Sequence, residues 1–258
     1  MADDRWLSSP EAEGAPPPPV RLVCFPPAGA DPRSFLAWQP LLGEAAQVTA
    51  VCLPGRAHRA EEPPPASLAD VADTVAALMT AGDDDRPYLL FGHSMGAITA
   101  FEVARRLDAA GARGLRHLVV SGCTAPRHNP SAYITWSDGR HGRPFAEAAA
   151  EFLGLPEEFV SAEGEVQDML LADLRDDVRL FAAYRYRPAP PLTIPLTVIC
   201  GGDDPHADRP AVEDWRHESE SGARVHWPEG DHFYLDRDPG KVLDVLRPLT
   251  VAEHIEMI

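Results

Sequence analysis

No long hydrophobic run occurs in this chain. A membrane-spanning helix needs about 20 consecutive apolar residues, and no stretch of the 258 residues approaches that. No secretion signal is expected. Residues 1–14 are acidic and polar, where a basic segment followed by an apolar one would be needed. A cytoplasmic protein is expected. Positive charge is scarce: 23 Lys and Arg against 40 Asp and Glu give a formal net charge of −17. That excludes nucleic acid as a partner, because phosphate binding requires a basic footprint. Cysteine is sparse. Cys24, Cys52, Cys123 and Cys200 have neither C-x-x-C nor metal-ligand spacing. Each lies in or just beyond an apolar run, which predicts buried free thiols in a reducing compartment rather than disulfides or metal ligands. What remains is an ordinary globular composition, 45% hydrophobic and 24% charged, at a length that suits one large domain.

The chain alternates. "APPPP" (15–19) closes an N-terminal arm, residues 1–19, expected to be flexible. Strand patterns follow at 20–25, 47–55 (a strand running into a turn), 87–91 and 116–122. Helical patterns lie between them at 31–43, 67–79 and 95–110. In 67–79 the apolar residues Leu68, Val71, Ala72, Val75, Leu78 and Met79 fall on one stripe, and Ser67 with Asp70 forms a cap signal. Several strands are unbroken apolar runs. Together these features predict a mostly parallel sheet with helices on both faces. Residues 127–185 break the alternation with helical patterns at 144–155 and 165–184. Strand and helix then resume from 194, with a strand at 223–227 and a last helix at 239–248. The whole chain therefore reads as a single domain, 1–258, with a helical insertion.

Within it, Gly92-His93-Ser94-Met95-Gly96 fits G-x-S-x-G. The pentapeptide alone is weak; a small-residue turn would look the same. Its placement between strand and helix is what marks a nucleophile elbow. A serine hydroxyl needs a base to become nucleophilic, and this elbow goes with the chain order Ser, Asp or Glu, His. His93 adjoins the serine and is not expected to fold back onto it. His206 stands too near the acid turn, His217 lies in a helix, His226 in a strand and His254 in the tail. His232 in "PEGDHFYL" sits on a loop just past a strand end and is the expected base. The acid should follow the preceding strand, where "VICGGDDP" offers Asp203 and Asp204. Asp204 is preferred, to hold the imidazole tautomer and stabilise the imidazolium. Oxyanion donors are expected from the Met95 N–H and from the loop "FPPAGA" (25–30). Pro26 and Pro27 have no N–H, so Ala28 is the first possible donor there.

At this point the chain resembles the type II thioesterases, α/β-hydrolase-fold enzymes that accompany polyketide and nonribosomal peptide synthases. The resemblance spans about residues 20 to 248. It rests on "CFPPAGA" (24–30), "LPGRAHRAEEPP" (53–64), "FGHSMGA" (91–97), "SGCTAP" (121–126), the block 171–198, "GGDDP" (201–205) and "GDHFYL" (230–235). It implies Ser94, Asp204 and His232 as the catalytic triad, Ala28 and Met95 as the oxyanion hole, and 127–185 as a lid over an acyl pocket. The chain departs from the family with Pro27 where histidine is usual, Ala30 where glycine is usual, and Cys123 where arginine is common. The implied function is hydrolysis of acyl groups from the phosphopantetheine arm of acyl or peptidyl carrier proteins, with no cofactor and no metal. Alternatives are another esterase of this fold, a chain-releasing thioesterase domain, or a non-catalytic binding protein. Carrier proteins are usually acidic, so docking on a chain of −17 calls for a local basic rim. Arg56, Arg59, Arg140 and Arg143 are the candidates, unless they pair with acids such as Glu61, Glu62 and Asp138.

Overall fold

The strand patterns assemble into one sheet. The computed structural model describes residues 4–10, 16–82, 84–128, 145–153 and 165–251. Seven strands are β1 (Leu7–Ser8), β2 (Arg21–Phe25), β3 (Gln47–Val51), β4 (Tyr88–His93), β5 (Leu115–Ser121), β6 (Leu196–Ile199) and β7 (Ala223–His226). Their order is β1-β3-β2-β4-β5-β6-β7. All neighbours are parallel except β1 on β3. The helices are α1 (Arg33–Leu36), α2 (Gln39–Leu42), α3 (Leu68–Ala81), α4 (Met95–Ala109), α5 (Phe145–Leu153), α6 (Glu165–Ala182), α7 (Arg209–Glu213), α8 (Tyr234–Arg237) and α9 (Gly240–Leu246).

Two cores flank the sheet because successive strand residues point to opposite faces. Val23, Phe25 and Leu90 meet α3, α4 and the C-terminal half of α6. Leu22, Cys24, Leu89 and Phe91 meet α1, α2, α8 and α9. All six residues of β4 are buried, so its apolar run sits at the centre of the sheet. On the second face Phe35 stands edge-on to Trp38 and Phe91, with ring centroids 4.9 and 5.6 Å away. Such pairs add about 0.5–1.5 kcal/mol each beyond area burial. The stripe of α3 packs as expected, and its cap forms, with the Asp70 N–H donating to Ser67 Oγ at 3.1 Å. That bond is worth about 1 kcal/mol.

Three expectations are corrected. The helix expected over 31–43 is two short helices, because Pro40 lacks the N–H a continuous helix needs and sits in the first turn of α2. The N-terminal arm is docked over residues 4–8. Trp6 is 8% exposed, the Arg59 guanidinium lies 4.1 Å above its ring, and Leu7 and Ser8 pair with Val51 and Ala50. Burial of the indole, its contact with the Arg59 guanidinium and the pairing to β3 together offset the ordering of this short segment, and the edge of β3 is covered. Two residues are too few for any strand period to be read in sequence. The insertion 127–185 is not all peripheral: Leu171, Leu174, Val178 and Phe181 of α6 belong to the core.

All four cysteines are free and buried, and burial pushes the thiol of Cys200 up to about 12. Among the described residues no helix is long and apolar enough to cross a membrane.

Candidate active site

Ser94 ends β4 and caps α4 with φ 54° and ψ −120°. A positive φ is costly for a residue with a Cβ, on the order of 1–3 kcal/mol. The elbow is held there from several sides. The Ser94 N–H donates to the Ser121 carbonyl at 2.8 Å, and the Ala97 N–H donates to the Ser94 carbonyl at 3.0 Å. A Cβ on Gly92 would lie 2.1 Å from the Gly96 carbonyl oxygen, and one on Gly96 would lie 2.0 Å from that of Phe25. The two glycines of the motif are therefore required where strand, helix and the loop after β2 converge.

The acid turn and the base loop are tied together by backbone. The Asp203 N–H donates to the Gly230 carbonyl at 3.0 Å, and the Gly202 N–H to that of Pro228 at 2.8 Å. The two aspartates differ in burial and partners. Asp203 is exposed. The Asp204 carboxylate is fully buried, with Oδ2 2.8 Å from His232 Nδ1. Its Oδ1 accepts the His206 N–H at 2.9 Å. His232 is itself 3% exposed. The elbow and the base loop meet through His93, whose ring centroid lies 4.9 Å from that of His232.

Met95 opens α4, and N–H groups of a first helical turn have no partner within the helix. In the loop after β2 the Ala30 N–H is spent on the Pro27 carbonyl at 3.2 Å and the Gly29 N–H on Asp177 Oδ2 at 2.8 Å. Among the described residues, the Ala28 N–H is left without a hydrogen-bond partner.

Other histidines divide as follows. His217 is exposed and His226 half-buried in β7; His254 and the arginines Arg140 and Arg143 lie outside the described residues. The basic-rim expectation fails for the other two arginines. Arg56 is buried and donates to both oxygens of Asp177 at 2.7 and 2.6 Å. Arg59 is buried and paired with Glu62. A guanidinium that finds a buried carboxylate gives up water for a bidentate pair and is no longer offered to a partner.

Sequence reasoning missed several neighbours. His93 points inward, with Nδ1 2.8 Å from Ser121 Oγ, which lies 2.7 Å from the Tyr234 hydroxyl. Burial, and then the nearby His232, holds the His93 imidazole well below the usual histidine range, so it is neutral. Phe152 of α5 stacks 5.6 Å from His232 and 5.0 Å from His206. Burial, with His232, lowers His206 too. Only the adjacency of His93 to the elbow could have signalled any of this.

A strained serine at a strand–helix elbow, beside a buried Asp–His pair carried on the loops after β6 and β7, defines the class: a serine hydrolase of the α/β-hydrolase fold. The particular family follows from comparison. The model of the thioesterase domain family matches residues 20–249, and the chain belongs to that family. It is 34% identical over 217 residues to the AMB antimetabolite synthetase AmbE of Pseudomonas aeruginosa, covering 82% of this chain. The chain spans only about 10% of that relative's length. Two solved structures match nearly end to end. The RedJ thioesterase from the prodiginine biosynthetic pathway of Streptomyces coelicolor is 33% identical, with a TM-score of 0.76 over 96% of this chain and 94% of that one. The type II thioesterase BorB from the borrelidin biosynthetic cluster is 30% identical, with a TM-score of 0.74 over 99% and 98%. The resemblance to type II thioesterases is borne out.

Proposed function

We propose that this chain hydrolyses acyl thioesters held on the phosphopantetheine arm of acyl or peptidyl carrier proteins, clearing stalled or misprimed units from a synthase. The observation that carries the reading is the 2.8 Å contact between buried Asp204 and His232 beside the strained Ser94 elbow, in a chain of the thioesterase family. The near end-to-end likeness to RedJ and BorB supports the editing role.

In this mechanism Ser94 Oγ attacks the thioester carbonyl while His232 Nε2 takes its proton. Asp204 accepts the Nδ1–H, which fixes the tautomer and stabilises the imidazolium. The N–H groups of Ala28 and Met95 receive the oxyanion; loss of one such donor costs about 2.7–4 kcal/mol. The tetrahedral adduct collapses, the C–S bond breaks and the pantetheine sulfur leaves with the proton from the His232 imidazolium, which returns His232 to the neutral base; a thiol of pKa about 8.5 is a far better leaving group than an alcohol. His232 then activates water, which releases the acid and frees Ser94. The chemistry draws on no metal or cofactor.

A cover over the site is assigned to α5; residues 129–144 and 154–164 of the expected lid lie outside the described residues. Phe152 of α5, resting on His232 and His206, supports that assignment. The four buried free thiols suit a reducing cytoplasm.

The test is hydrolysis of a panel of acyl-loaded carrier proteins. An editing enzyme turns over many short acyl groups on many carriers. The likeness to a region of AmbE favours one other reading, a chain-releasing domain, which would act on a single long product and ignore the panel.

A further inference from the structure

We propose that Asp177 is a positioning residue for the oxyanion loop: from α6 it holds the Gly29 N–H and the Arg56 guanidinium, and so aims the Ala28 N–H at the reacting carbonyl. The inference rests on the proposed thioesterase chemistry and adds a component to it.

Four hydrogen bonds and one packing contact converge on this point. Asp177 is 1% exposed. Its Oδ2 accepts from Gly29 N at 2.8 Å and from Arg56 Nη1 at 2.7 Å, and its Oδ1 accepts from Arg56 Nη2 at 2.6 Å. Arg56 Nη1 also donates to the Ala30 carbonyl at 3.2 Å. From the same helix Leu174 closes on Gly29, where a Cβ would lie 3.0 Å from the leucine Cβ.

The loop needs such an anchor. Pro26 and Pro27 stiffen its start, and Gly29 turns it at φ 75°. Its internal hydrogen bond, Ala30 N–H to the Pro27 carbonyl, sets its shape but not its tilt against Ser94. Ala28 and Gly29 amides are separated by one Cα. Fixing the second peptide plane restricts ψ of Ala28, while Pro27 restricts the plane before it. Asp177 is the group that fixes the second plane. A buried ion pair adds little net stability over apolar replacements of the same shape, so the cost of this one is repaid in placement. Misplacing a catalytic group by about 1 Å can cost about 100-fold in rate.

Two double variants separate placement from packing. Arg56→Met with Asp177→Leu removes the ion pair and the acceptor for Gly29. Arg56→Met with Asp177→Asn removes the same ion pair but leaves an amide oxygen for Gly29. Hydrolysis of a small acyl thioester is measured, together with the inhibition constant of an alkylboronic acid, which forms a tetrahedral adduct on the serine. The leucine variant should lose about 30- to 100-fold in kcat with KM within about twofold, and bind the boronic acid weaker by a similar factor. The asparagine variant should lose less than about fivefold on both. Equal kcat in the two double variants, or a loss confined to KM, overturns the proposal. Should the leucine variant not fold, Asp177→Asn with Arg56 intact replaces it. There Gly29 and Arg56 compete for one oxygen, a kcat loss of about tenfold at constant KM is expected, and wild-type kcat overturns the proposal. A wild type that hydrolyses no acyl thioester sinks the proposed function; an active wild type with indistinguishable double variants sinks only the role of Asp177.

Discussion

Replacing Asp204 by asparagine should remove most of the catalytic rate while replacing Asp203 should not. The structure sets the size of the effect. The buried Asp204 carboxylate faces two donors, His232 Nδ1–H at 2.8 Å and the His206 N–H at 2.9 Å. A carboxylate accepts both. An amide has one acceptor oxygen and one NH₂. If its oxygen keeps the His206 N–H, the NH₂ faces Nδ1 and selects the tautomer that protonates Nε2, so His232 can no longer take the Ser94 proton. If the oxygen turns to His232, two donors confront each other at about 2.9 Å, which costs about 1–3 kcal/mol in a buried site. The first arrangement is favoured, and loss of the acid partner in this way costs about 10⁴ in kcat, or about 5 kcal/mol in activation free energy. Asp203 is exposed and contributes to the turn through its backbone N–H, which any residue retains. Its asparagine variant should stay within about twofold, as expected for an exposed side chain with no catalytic contact. The assay is thiol release from a small acyl thioester, with circular dichroism to show that both variants fold. Equal losses, or the larger loss in the Asp203 variant, would refute the assigned register of the acid turn.

Four further outcomes are expected. Ser94→Ala should abolish hydrolysis without loss of fold, and a serine-directed phosphonate should label the wild type at Ser94 alone; label at another serine excludes it as nucleophile. Gly96→Ala places a Cβ 2.0 Å from the Phe25 carbonyl oxygen and should destabilise the protein by about 3 kcal/mol or more, lowering Tm by roughly 6–12 °C in thermal denaturation; an unchanged Tm would contradict the close approach. Burial, then Arg224, pushes His117 down from 6.5 to about 4. The unfolded chain then binds the extra proton first, so stability is full above about pH 6.5 and falls as pH drops toward 4, by about 3 kcal/mol for this residue; denaturant midpoints against pH should show a shallower decline in His117→Gln, and parallel curves would count against it. In hydrogen exchange, α5 should open faster than β4, β6 and residues 171–182 of α6; uniform protection argues against a mobile cover.

By itself the sequence determined the parts of this protein that are written in local chemistry. Apolar runs and 3.6-residue stripes placed the parallel strands and the two long helices before α5, because burial on one or both faces imposes a period. The elbow was legible because only glycine fits at 92 and 96, and His232 because loop position and chain order leave few alternatives. Sequence alone makes Asp204 over Asp203 a preference; folding buries one and exposes the other, and the proposed triad rests on that difference. Tertiary structure alone decided contacts between residues far apart in the chain. Arg56 reads as a surface charge in "LPGR" and becomes a buried partner of Asp177, 121 positions away. Asp177 is one of several acids on a helical pattern until α6 lands on the oxyanion loop. His93 became a buried neutral ring only when the ends of β4 and β5 and the base loop enclosed it. Trp6 found its site only once Arg59 and β3 were in place. No local period encodes such meetings: a charge or an indole has the same sequence signature in water or in a core, and its surroundings are chosen by the packing of elements that come from elsewhere in the chain.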